Sequence, residues 1–375
     1  MRTIGLYVHI PFCVKKCYYC DFNSFETLEL IPEYLEALRI EITNLKNCCY
    51  SANTVYIGGG TPTVLTNNQL FSLLSDLHKN IYIAKDAEIT IEANPGTLTQ
   101  EKLHLLKTLG VNRLSIGLQA YQNSMLKIMG RIHTVEDFEN NFITARDIGF
   151  NNINVDLIFG LPNQRLEDFE ETLRRVSYLS PEHISCYALS VEEGTKFHQW
   201  KQEGRLSLPS DDDERKMYYE AIEALTRVGY NHYEISNFAK PVRECKHNLV
   251  YWTYKDYLGL GAGAHSFLDN KRFNNHPIIL DYIKSIKNSS TAILNIESIS
   301  YQEQQAAFCI MGLRLLQGLN KAVFKQRFHK EITQVYKSPV EKLKKQGLLQ
   351  ENSENLKLTA LGLDFANVVF MEFLP

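Results

Sequence analysis

What this sequence lacks excludes several classes of protein. Its 375 residues contain no run of about eighteen apolar side chains, so we expect no transmembrane helix. The first residues, MRTIGLYVHIPF, have neither the apolar segment nor the cleavage site of a signal peptide, and they predict a strand instead. The formal net charge of −3 provides no overall basic field, so we expect no nucleic-acid partner.

Cysteine is also scarce. Eight cysteines in 375 residues are too few and too unevenly spaced for a disulfide framework, and this pattern favours a reducing cytoplasm.

Two short motifs are missing as well. The glycine-rich stretch GLGAGAHSF does not complete the G-x-G-x-x-G fingerprint of dinucleotide binding. No Cys-Pro pair, a common signal of haem regulation, occurs in the chain.

The first half of the chain alternates two hydrophobic periods. Helix-period segments separate six apolar, β-rich runs, which begin at Ile4, Thr54, Glu88, Arg113, Ile153 and His183. This alternation predicts an α/β fold with a parallel sheet wound by right-handed crossovers. An open (β/α)6 barrel and a doubly wound sheet both fit the pattern. Either one places a site at the C-terminal ends of the strands.

The pattern changes after about residue 190, and we divide the chain into three parts. Residues 1–205 form the predicted barrel, residues 206–290 an extension and linking region, and residues 291–375 a C-terminal unit. Helices followed by a short hairpin in GLLQENSENLKLTALG make this last unit winged-helix-like. Its stretch 321–345 has eight Lys or Arg against two Glu. Such a run is usually a solvated face; docking onto an acidic partner or an anionic membrane surface is the main alternative, ahead of DNA binding.

Three clustered cysteines, Cys13, Cys17 and Cys20, follow the first predicted strand. Thiolates are soft ligands that suit zinc or an iron–sulfur cluster. A closed zinc site would need a fourth ligand from elsewhere in the chain. A [4Fe–4S] cluster held by three thiolates would instead leave one iron open to a small molecule.

The Cys-x3-Cys-x2-Cys loop after the first strand of a β/α barrel resembles the radical S-adenosylmethionine (SAM) superfamily. This resemblance implies a partial (β/α)6, TIM-like barrel in which SAM binds the open iron of the cluster. The segment YIGGGTPT at the end of the second strand resembles the part that binds the SAM amino group. Taken alone, its glycines favour a tight strand-to-helix turn.

Four polar residues recur near the ends of the next strands, as a polar ligand requires: Glu92, Gln119, Arg131 and Asp156. Asp156 lies within an apolar strand, where a carboxylate is costly unless it is paired. A structural partner such as Arg131 is the alternative explanation for it.

The motifs YVHIPFC, CYYC, GGGTPT, GLQ and DLIFGLP resemble the oxygen-independent coproporphyrinogen oxidase family and its relatives over nearly the whole chain. The resemblance implies SAM contacts at Tyr7, Tyr19, Gly59, Gly60, Thr61, Glu92, Gln119, Arg131 and Asp156. The Tyr7 and Tyr19 matches depend only on their offsets from the cysteines. The cluster ligands implied are Cys13, Cys17 and Cys20.

Two features depart from the oxidase and resemble its haem-chaperone relatives. Phe22 stands where the oxidase loop has a further cysteine, and only twelve residues precede Cys13. The segment HNLVYW also matches a His-Asn-x-x-Tyr-Trp signature associated with haem binding in those relatives, which implies His247 as a haem ligand. An imidazole can bind haem iron, and the neighbouring aromatic residues can cover a flat macrocycle. A structural histidine beside an aromatic core is the other interpretation.

Two functions therefore remain open. In the first, the chain is a haem chaperone that binds a [4Fe–4S] cluster, SAM and haem and delivers haem to haem-dependent client proteins. In the second, it is the oxidase itself, which uses radical SAM chemistry to decarboxylate coproporphyrinogen III in porphyrin biosynthesis. Both functions need the same cluster site, so the sequence leaves open whether the chain is an enzyme.

Overall fold

The computed structural model describes the backbone of residues 1–375 and every side chain except that of Asn47. The six predicted strands form six neighbouring parallel strands in chain order. They are β1 (Arg2–Ile10), β2 (Tyr50–Gly59), β3 (Tyr82–Ala93), β4 (Arg113–Gln119), β5 (Ile153–Phe159) and β6 (His183–Ala188). This is the open α/β barrel that the periodicity and the resemblance predicted, so the predicted fold class is confirmed.

Helices connect these strands and cover the outside of the barrel. Their first turns carry the expected caps: Thr66 and Thr134 each form a capping box, and Thr99 accepts a hydrogen bond from the backbone of Lys102. The helices of this part are α1 (Ile31–Thr43), α2 (Asn67–Asn80), α3 (Gln100–Thr108), α4 (Asn123–Ile128), α5 (Val135–Asp147), α6 (Leu166–Leu179), α7 (Lys196–Gln202), α8 (Asp211–Arg227), α9 (Lys246–Trp252) and α10 (Ile279–Ser289).

Shorter strands extend the sheet on both sides, to twelve strands within the described backbone. Beyond β6 lie two antiparallel strands, and beyond β1 lies β9, which pairs with β1 in parallel and leads into an antiparallel meander. The added strands are β7 (Asn231–Glu234), β8 (Asn237–Ala239), β9 (Tyr257–Leu260), β10 (His265–Leu268), β11 (Lys271–Asn275) and β12 (Ile293–Ser298). The barrel therefore stays open between β7 and β12.

The C-terminal unit combines helices with a three-stranded antiparallel sheet, and it contains the predicted hairpin. Its elements are α11 (Tyr301–Leu313), β13 (Leu319–Asn320), α12 (Lys321–Phe328), α13 (Ile332–Val335), α14 (Lys337–Lys345), β14 (Leu349–Glu351), β15 (Asn355–Leu358), α15 (Ala360–Asp364) and α16 (Ala366–Met371). The domain limits at residues 205 and 290 remain predictions.

Two large clusters of buried apolar side chains underlie this organisation. One fills the space between the parallel sheet and its helices, and the other forms the core of the C-terminal unit. A smaller cluster packs Tyr18 and Tyr19 of the cysteine loop against Phe197 of α7. None of the helices in the described chain is both long and apolar enough to span a bilayer.

Candidate functional site

The three predicted cluster cysteines lie in the loop that follows β1. The loop is fixed by backbone hydrogen bonds from the Cys13 amide to the Phe25 carbonyl (2.9 Å) and from the Tyr18 amide to the Met129 carbonyl (2.9 Å). Cys13 is buried, whereas Cys17 and Cys20 are half-buried. The loop therefore holds all three thiols near the C-terminal ends of the strands.

A single cavity at these strand ends encloses about 1070 Å³, part of it open to solvent. Eleven of the thirteen predicted site residues line it: Cys13, Cys17, Tyr19, Cys20, Gly59, Gly60, Thr61, Glu92, Gln119, Arg131 and Asp156. Among the described side chains, no three His, Cys, Asp or Glu residues are arranged to hold one metal ion. The cavity brings the predicted residues together, while their ligand roles remain predictions.

Glycine is required where β2 reaches the cavity. Gly59 has φ of +113°, and a Cβ atom there would lie 2.4 Å from the ring of His9. At Gly60 a Cβ atom would lie 2.6 Å from the carbonyl oxygen of Phe12. Both contacts are too short for any larger residue, so the bare backbone borders the cavity and a ligand can approach it closely.

Gln119 ends β4 in a left-handed conformation, with φ of +74°. A non-glycine residue in this region typically costs about 1–3 kcal/mol and persists where the surrounding structure imposes it. Gln119 is buried and lines the cavity. The strained backbone at this position is consistent with a functional role for its side chain.

Glu92 is held at the end of β3 by two hydrogen bonds. Its carboxylate accepts one from the Tyr56 hydroxyl (2.8 Å) and one from the Gly59 amide (3.0 Å). Burial raises the pKa of Glu92 to about 7; Asp156 acts in the same direction, while these two donors and the charge of Arg113 oppose it. The charge of Glu92 therefore changes near neutral pH.

Asp156 does not pair with Arg131, but it does have structural partners, as the alternative explanation required. Its carboxylate accepts hydrogen bonds from the Ser115 hydroxyl (3.0 Å) and the Asn154 amide (2.8 Å). Arg131 instead donates to the Asn94 side chain (2.7 Å) and the Gly117 carbonyl (2.6 Å). The carboxylate of Asp156 is therefore hydrogen-bonded by neutral donors alone. The guanidinium of Arg131 does not pair with it and points towards the cysteines instead.

A continuous chain of polar contacts joins two of the cluster cysteines. The Cys13 sulfur lies 3.5 Å from the Thr61 hydroxyl, which accepts a hydrogen bond from the Asn94 amide (2.7 Å). The other end of Asn94 accepts from Arg131, whose second terminal nitrogen lies 3.5 Å from the Cys17 sulfur. These three side chains form a supporting shell that fixes the position of both sulfur atoms.

Burial also affects the cysteines directly. It raises the pKa of the Cys13 thiol and raises that of Cys20 to about 11. Both groups are therefore thiols in this structure at neutral pH. Because soft metals bind thiolates, loading a cluster here would release protons.

Sequence reasoning missed several residues of the cavity wall. The structure adds the polar or aromatic side chains of Phe22, Tyr56, Asn94, Ser115 and Tyr187. The sequence did contain a signal for two of them, because side chains two residues apart in a strand point to the same face. Asn94 is two residues after Glu92, and Tyr56 is two residues before Gly58, the neighbour of Gly59. Phe22 lines the cavity although it is 62% exposed, so it stands at the mouth.

Two predicted residues, Tyr7 and His247, do not line this cavity. The Tyr7 hydroxyl is hydrogen-bonded to His9 Nδ1 (2.8 Å), and its ring stacks on Tyr56 with centroids 6.3 Å apart. His247, on α9, is 1% exposed, and its ring centroid lies 5.1 Å from that of Tyr56 and 6.5 Å from that of Tyr7. The three rings therefore form one cluster, and of the three only Tyr56 lines the cavity.

Both ring nitrogens of His247 already have partners. Nδ1 lies 2.8 Å from the Thr54 hydroxyl, and Nε2 lies 2.8 Å from the Tyr251 hydroxyl. Burial, with a further contribution from Arg113, lowers the pKa of His247 to about 3. The imidazole is therefore neutral at physiological pH, which is the form that binds metals.

A second pocket, which we call the aromatic pocket, lies beside α9. It encloses about 530 Å³ and combines five aromatic side chains with two cations and a thioether: Tyr251, Trp252, Tyr254, Tyr257 and Phe267, with Lys255, Arg272 and Met311. None of these residues lines the strand-end cavity. The chain thus has two chemically different pockets, and His247 lies between them.

The comparisons with known proteins agree with this architecture. Residues 7–176 match the Radical SAM superfamily, and residues 299–365 match the HemN C-terminal domain. A barrel with three cysteines after β1 and a glycine-bordered cavity at its strand ends is thus a radical SAM fold. Within that class, the chain belongs to the HemW family: it is 38% identical to the heme chaperone HemW of Bacillus subtilis, over 98% of both chains.

Other relatives are similar over comparable lengths. The heme chaperone HemW of Lactococcus lactis is 36% identical, with 98% of this chain and 96% of the relative covered. Among solved structures, the coproporphyrinogen III oxidase HemN of Escherichia coli superposes with a TM-score of 0.88 at 27% identity. That match covers 99% of this chain and 90% of the oxidase. The fold is therefore shared with the oxidase, whereas the sequence is more similar to the HemW relatives.

The pKa of Glu92 leads to a testable pH dependence. If a cationic group of SAM faces this carboxylate, SAM affinity should rise with pH up to about 7 and then level off. Below that pH, protonation of Glu92 should weaken binding by up to about tenfold per pH unit. Equilibrium titration of SAM between about pH 6 and 8 measures the profile.

The Glu92→Gln variant should flatten this profile, whereas Glu171→Gln should leave it unchanged, because Glu171 is on α6, is 44% exposed and does not line the cavity. An unchanged slope in Glu92→Gln would remove Glu92 from the SAM contacts.

Proposed function

We propose that this protein is a haem chaperone that holds a [4Fe–4S] cluster and SAM in the strand-end cavity and haem at the aromatic pocket. The observation that carries the proposal is the presence of two separate pockets in a chain that matches HemW relatives from end to end. A porphyrin-decarboxylating enzyme needs its porphyrin within reach of SAM. A carrier needs a surface that receives haem and releases it to a client protein.

The donor set of the strand-end cavity fits a cluster with SAM. Cys13, Cys17 and Cys20 supply three soft ligands, while the backbone at Gly59 and Gly60 permits close approach by a polar ligand. When bound, the pair supplies one-electron reduction of SAM. The protein side chains orient the ligand: Glu92 and Asp156 provide acceptors, and Arg131 provides donors.

The aromatic pocket fits haem by chemical class. Haem is a flat apolar macrocycle with two carboxylates at one edge. Tyr254, Tyr257 and Phe267 offer aromatic surface, and Lys255 and Arg272 offer cations for the carboxylates. We propose that the pocket holds haem in this way.

His247 remains our proposed iron ligand, with a condition that its contacts impose. Its Nε2 atom can reach haem iron only when the hydrogen bond to Tyr251 opens. Met311 is the competing ligand in the pocket, because a thioether also binds haem iron. Substitutions at the three positions distinguish these assignments.

Haem titration followed in the Soret band tests the proposal. The wild-type chain should bind one haem, and His247→Ala should weaken binding by at least about tenfold. Tyr251→Phe should strengthen it about fivefold, since the hydrogen bond that competes for Nε2 contributes about 1 kcal/mol. Met311→Leu should leave the band unchanged.

His183→Ala is the matched control, because His183 is also buried and bonded at both ring nitrogens, to Asn154 and Tyr233. The His183→Ala variant should lose as much folding stability as His247→Ala does, but it should still bind haem like the wild type. Haem binding that survives in His247→Ala but changes in Met311→Leu would transfer the ligand role to Met311. Absence of saturable binding in the wild type would contradict the chaperone function.

The coproporphyrinogen oxidase remains the second candidate, because the oxidase structure superposes over nearly the whole chain. Against it, Phe22 stands at the cavity mouth, at the position where the oxidase loop has a further cysteine.

We propose haem-dependent proteins as the clients of the chaperone.

A further inference from the structure

The last two helices, α15 and α16, and the residues that join and follow them expose an apolar surface that no described part of the chain covers. Five side chains at spacings of four, three, three and three residues are between 43% and 68% exposed: Leu361, Phe365, Val368, Met371 and Leu374. We call this set the C-terminal face. The opposite side of α16 is also apolar, with Val369 and Phe370 packed into the core. A helix that is apolar all round is normally covered on both sides.

The charges next to the C-terminal face are balanced or positive. Between residues 360 and 375 the acidic side chains are Asp364 and Glu372. Asp364 forms an ion pair with Arg215 of α8, and Glu372 forms one with Lys342 of α14 (2.7 Å). Neither acid therefore offers an unpaired negative charge to a ligand at this face.

Helix α14 lies beside α16 and adds lysines. Besides the ion pair at Lys342, Tyr336 packs on Phe373 with ring centroids 5.1 Å apart. All four lysines of α14 are exposed: Lys337, Lys342, Lys344 and Lys345. Lys344 is paired with Glu351, whereas Lys337 and Lys345 form no ion pair among the described side chains.

The combination of an exposed apolar face with neighbouring lysines distinguishes between the possible binding partners of the C-terminal face. Protein–protein interfaces are typically depleted of lysine, so a partner protein fits the α14 side poorly. A symmetric pair of copies would bring two lysine-rich helices towards each other, and their like charges would repel. A membrane surface with anionic headgroups takes both features at once: the apolar side chains enter the acyl boundary and the lysines meet the headgroups.

We propose that the C-terminal face, with the lysines of α14, docks this protein onto an anionic lipid surface as a peripheral contact. The proposal does not depend on haem or the cluster. Phe365, Val368 and Met371 supply the inserted surface, and Lys337 and Lys345 supply the unpaired charges. Such a contact would place the chain beside a bilayer without any segment that crosses it.

Vesicle flotation of the purified full chain tests this. Wild type should float with phosphatidylcholine vesicles that contain about a third phosphatidylglycerol, and much less with pure phosphatidylcholine. Met371→Glu should lower the bound fraction at least about tenfold, because a charge replaces an inserted apolar group. The double variant Lys337→Gln with Lys345→Gln should weaken binding by about fivefold per lysine on anionic vesicles only.

Ile143→Glu is the matched control, since Ile143 is a similarly exposed apolar residue, on α5 of the barrel. It should float like wild type. Circular dichroism of each variant checks that it is folded. The proposal fails if wild type ignores anionic vesicles or if folded Met371→Glu floats unchanged. It also fails if wild type is a dimer in solution that Met371→Glu converts to monomers, because the face would then be an interface between copies.

Discussion

The Cys17→Ala variant should contain no [4Fe–4S] cluster after anaerobic reconstitution, while the barrel remains folded. Its iron content should fall from about four atoms per chain to nearly none. The reason is that two thiolates cannot hold a cluster that already leaves one iron without a cysteine. The fold should survive because backbone hydrogen bonds from Cys13 and Tyr18 fix the loop, and they do not involve the Cys17 side chain.

Iron and sulfide analysis, with the electron paramagnetic resonance spectrum of the reduced protein, measures this outcome. Cys48→Ala is the control, because Cys48 is an exposed cysteine outside the cavity, and it should retain a full cluster. A complete cluster in Cys17→Ala would show that another residue is the third ligand. Loss of the cluster in both variants would indicate general damage to reconstitution.

The Asn94→Ala variant should have the next largest effect, although Asn94 is not itself a predicted ligand. The amide of Asn94 connects Thr61 to Arg131, and these two side chains contact the sulfur atoms of Cys13 and Cys17. Removing it leaves a donor and an acceptor unpaired, which typically costs about 1–3 kcal/mol. Loss of such outer partners usually weakens metal sites about 10- to 100-fold.

We therefore expect Asn94→Ala to bind SAM about 10- to 100-fold more weakly and to shift the reduction potential of the cluster. Asn141→Ala is a close control: Asn141 accepts from the amide of Gly96 (2.9 Å) in the loop after β3, but it does not line the cavity. If the two variants have the same SAM affinity and the same potential, Asn94 does not support the cluster site.

Much of the fold followed from the periodicity of the sequence. The strands of the parallel barrel are buried on both faces, so they appear as continuous apolar runs that stand out between amphipathic helices. Strands β7 to β12 could not be predicted from periodicity, because strands of three to six residues are too short to show a clear hydrophobic pattern. The hairpin of β14 and β15 was recognisable from its turn residues.

The site was predictable where a residue type and a strand end coincide. Gly59 and Glu92 lie at the ends of neighbouring parallel strands, Asp156 is a carboxylate within an apolar strand, and all three line the cavity. The Tyr7 match depended on an offset from the cysteines, which does not fix the direction of a side chain. Its hydroxyl is bonded to His9 and its ring stacks on Tyr56, so Tyr7 does not line the cavity.

The burial of His247 was equally inaccessible to sequence reasoning. A His-Asn-x-x-Tyr-Trp segment indicates an aromatic neighbourhood and contains one partner of the imidazole, Tyr251, but the other partner comes from a distant part of the chain. Thr54 of β2 is 193 residues away in sequence. The structure shows that the Tyr251 hydroxyl lies 2.8 Å from Nε2, so this hydrogen bond must open if His247 is the haem ligand that we propose.

Transfer of haem to an apo-haem protein is the direct test of the chaperone function. The reconstituted, haem-loaded chain is mixed anaerobically with an excess of a b-type haem protein from which haem has been removed, and the two Soret bands are followed. We expect the band of the loaded chain to decay as that of the acceptor grows, and the chain to be recovered without haem. A chain that binds no haem, and that instead consumes coproporphyrinogen III when given SAM and a reductant, would contradict it.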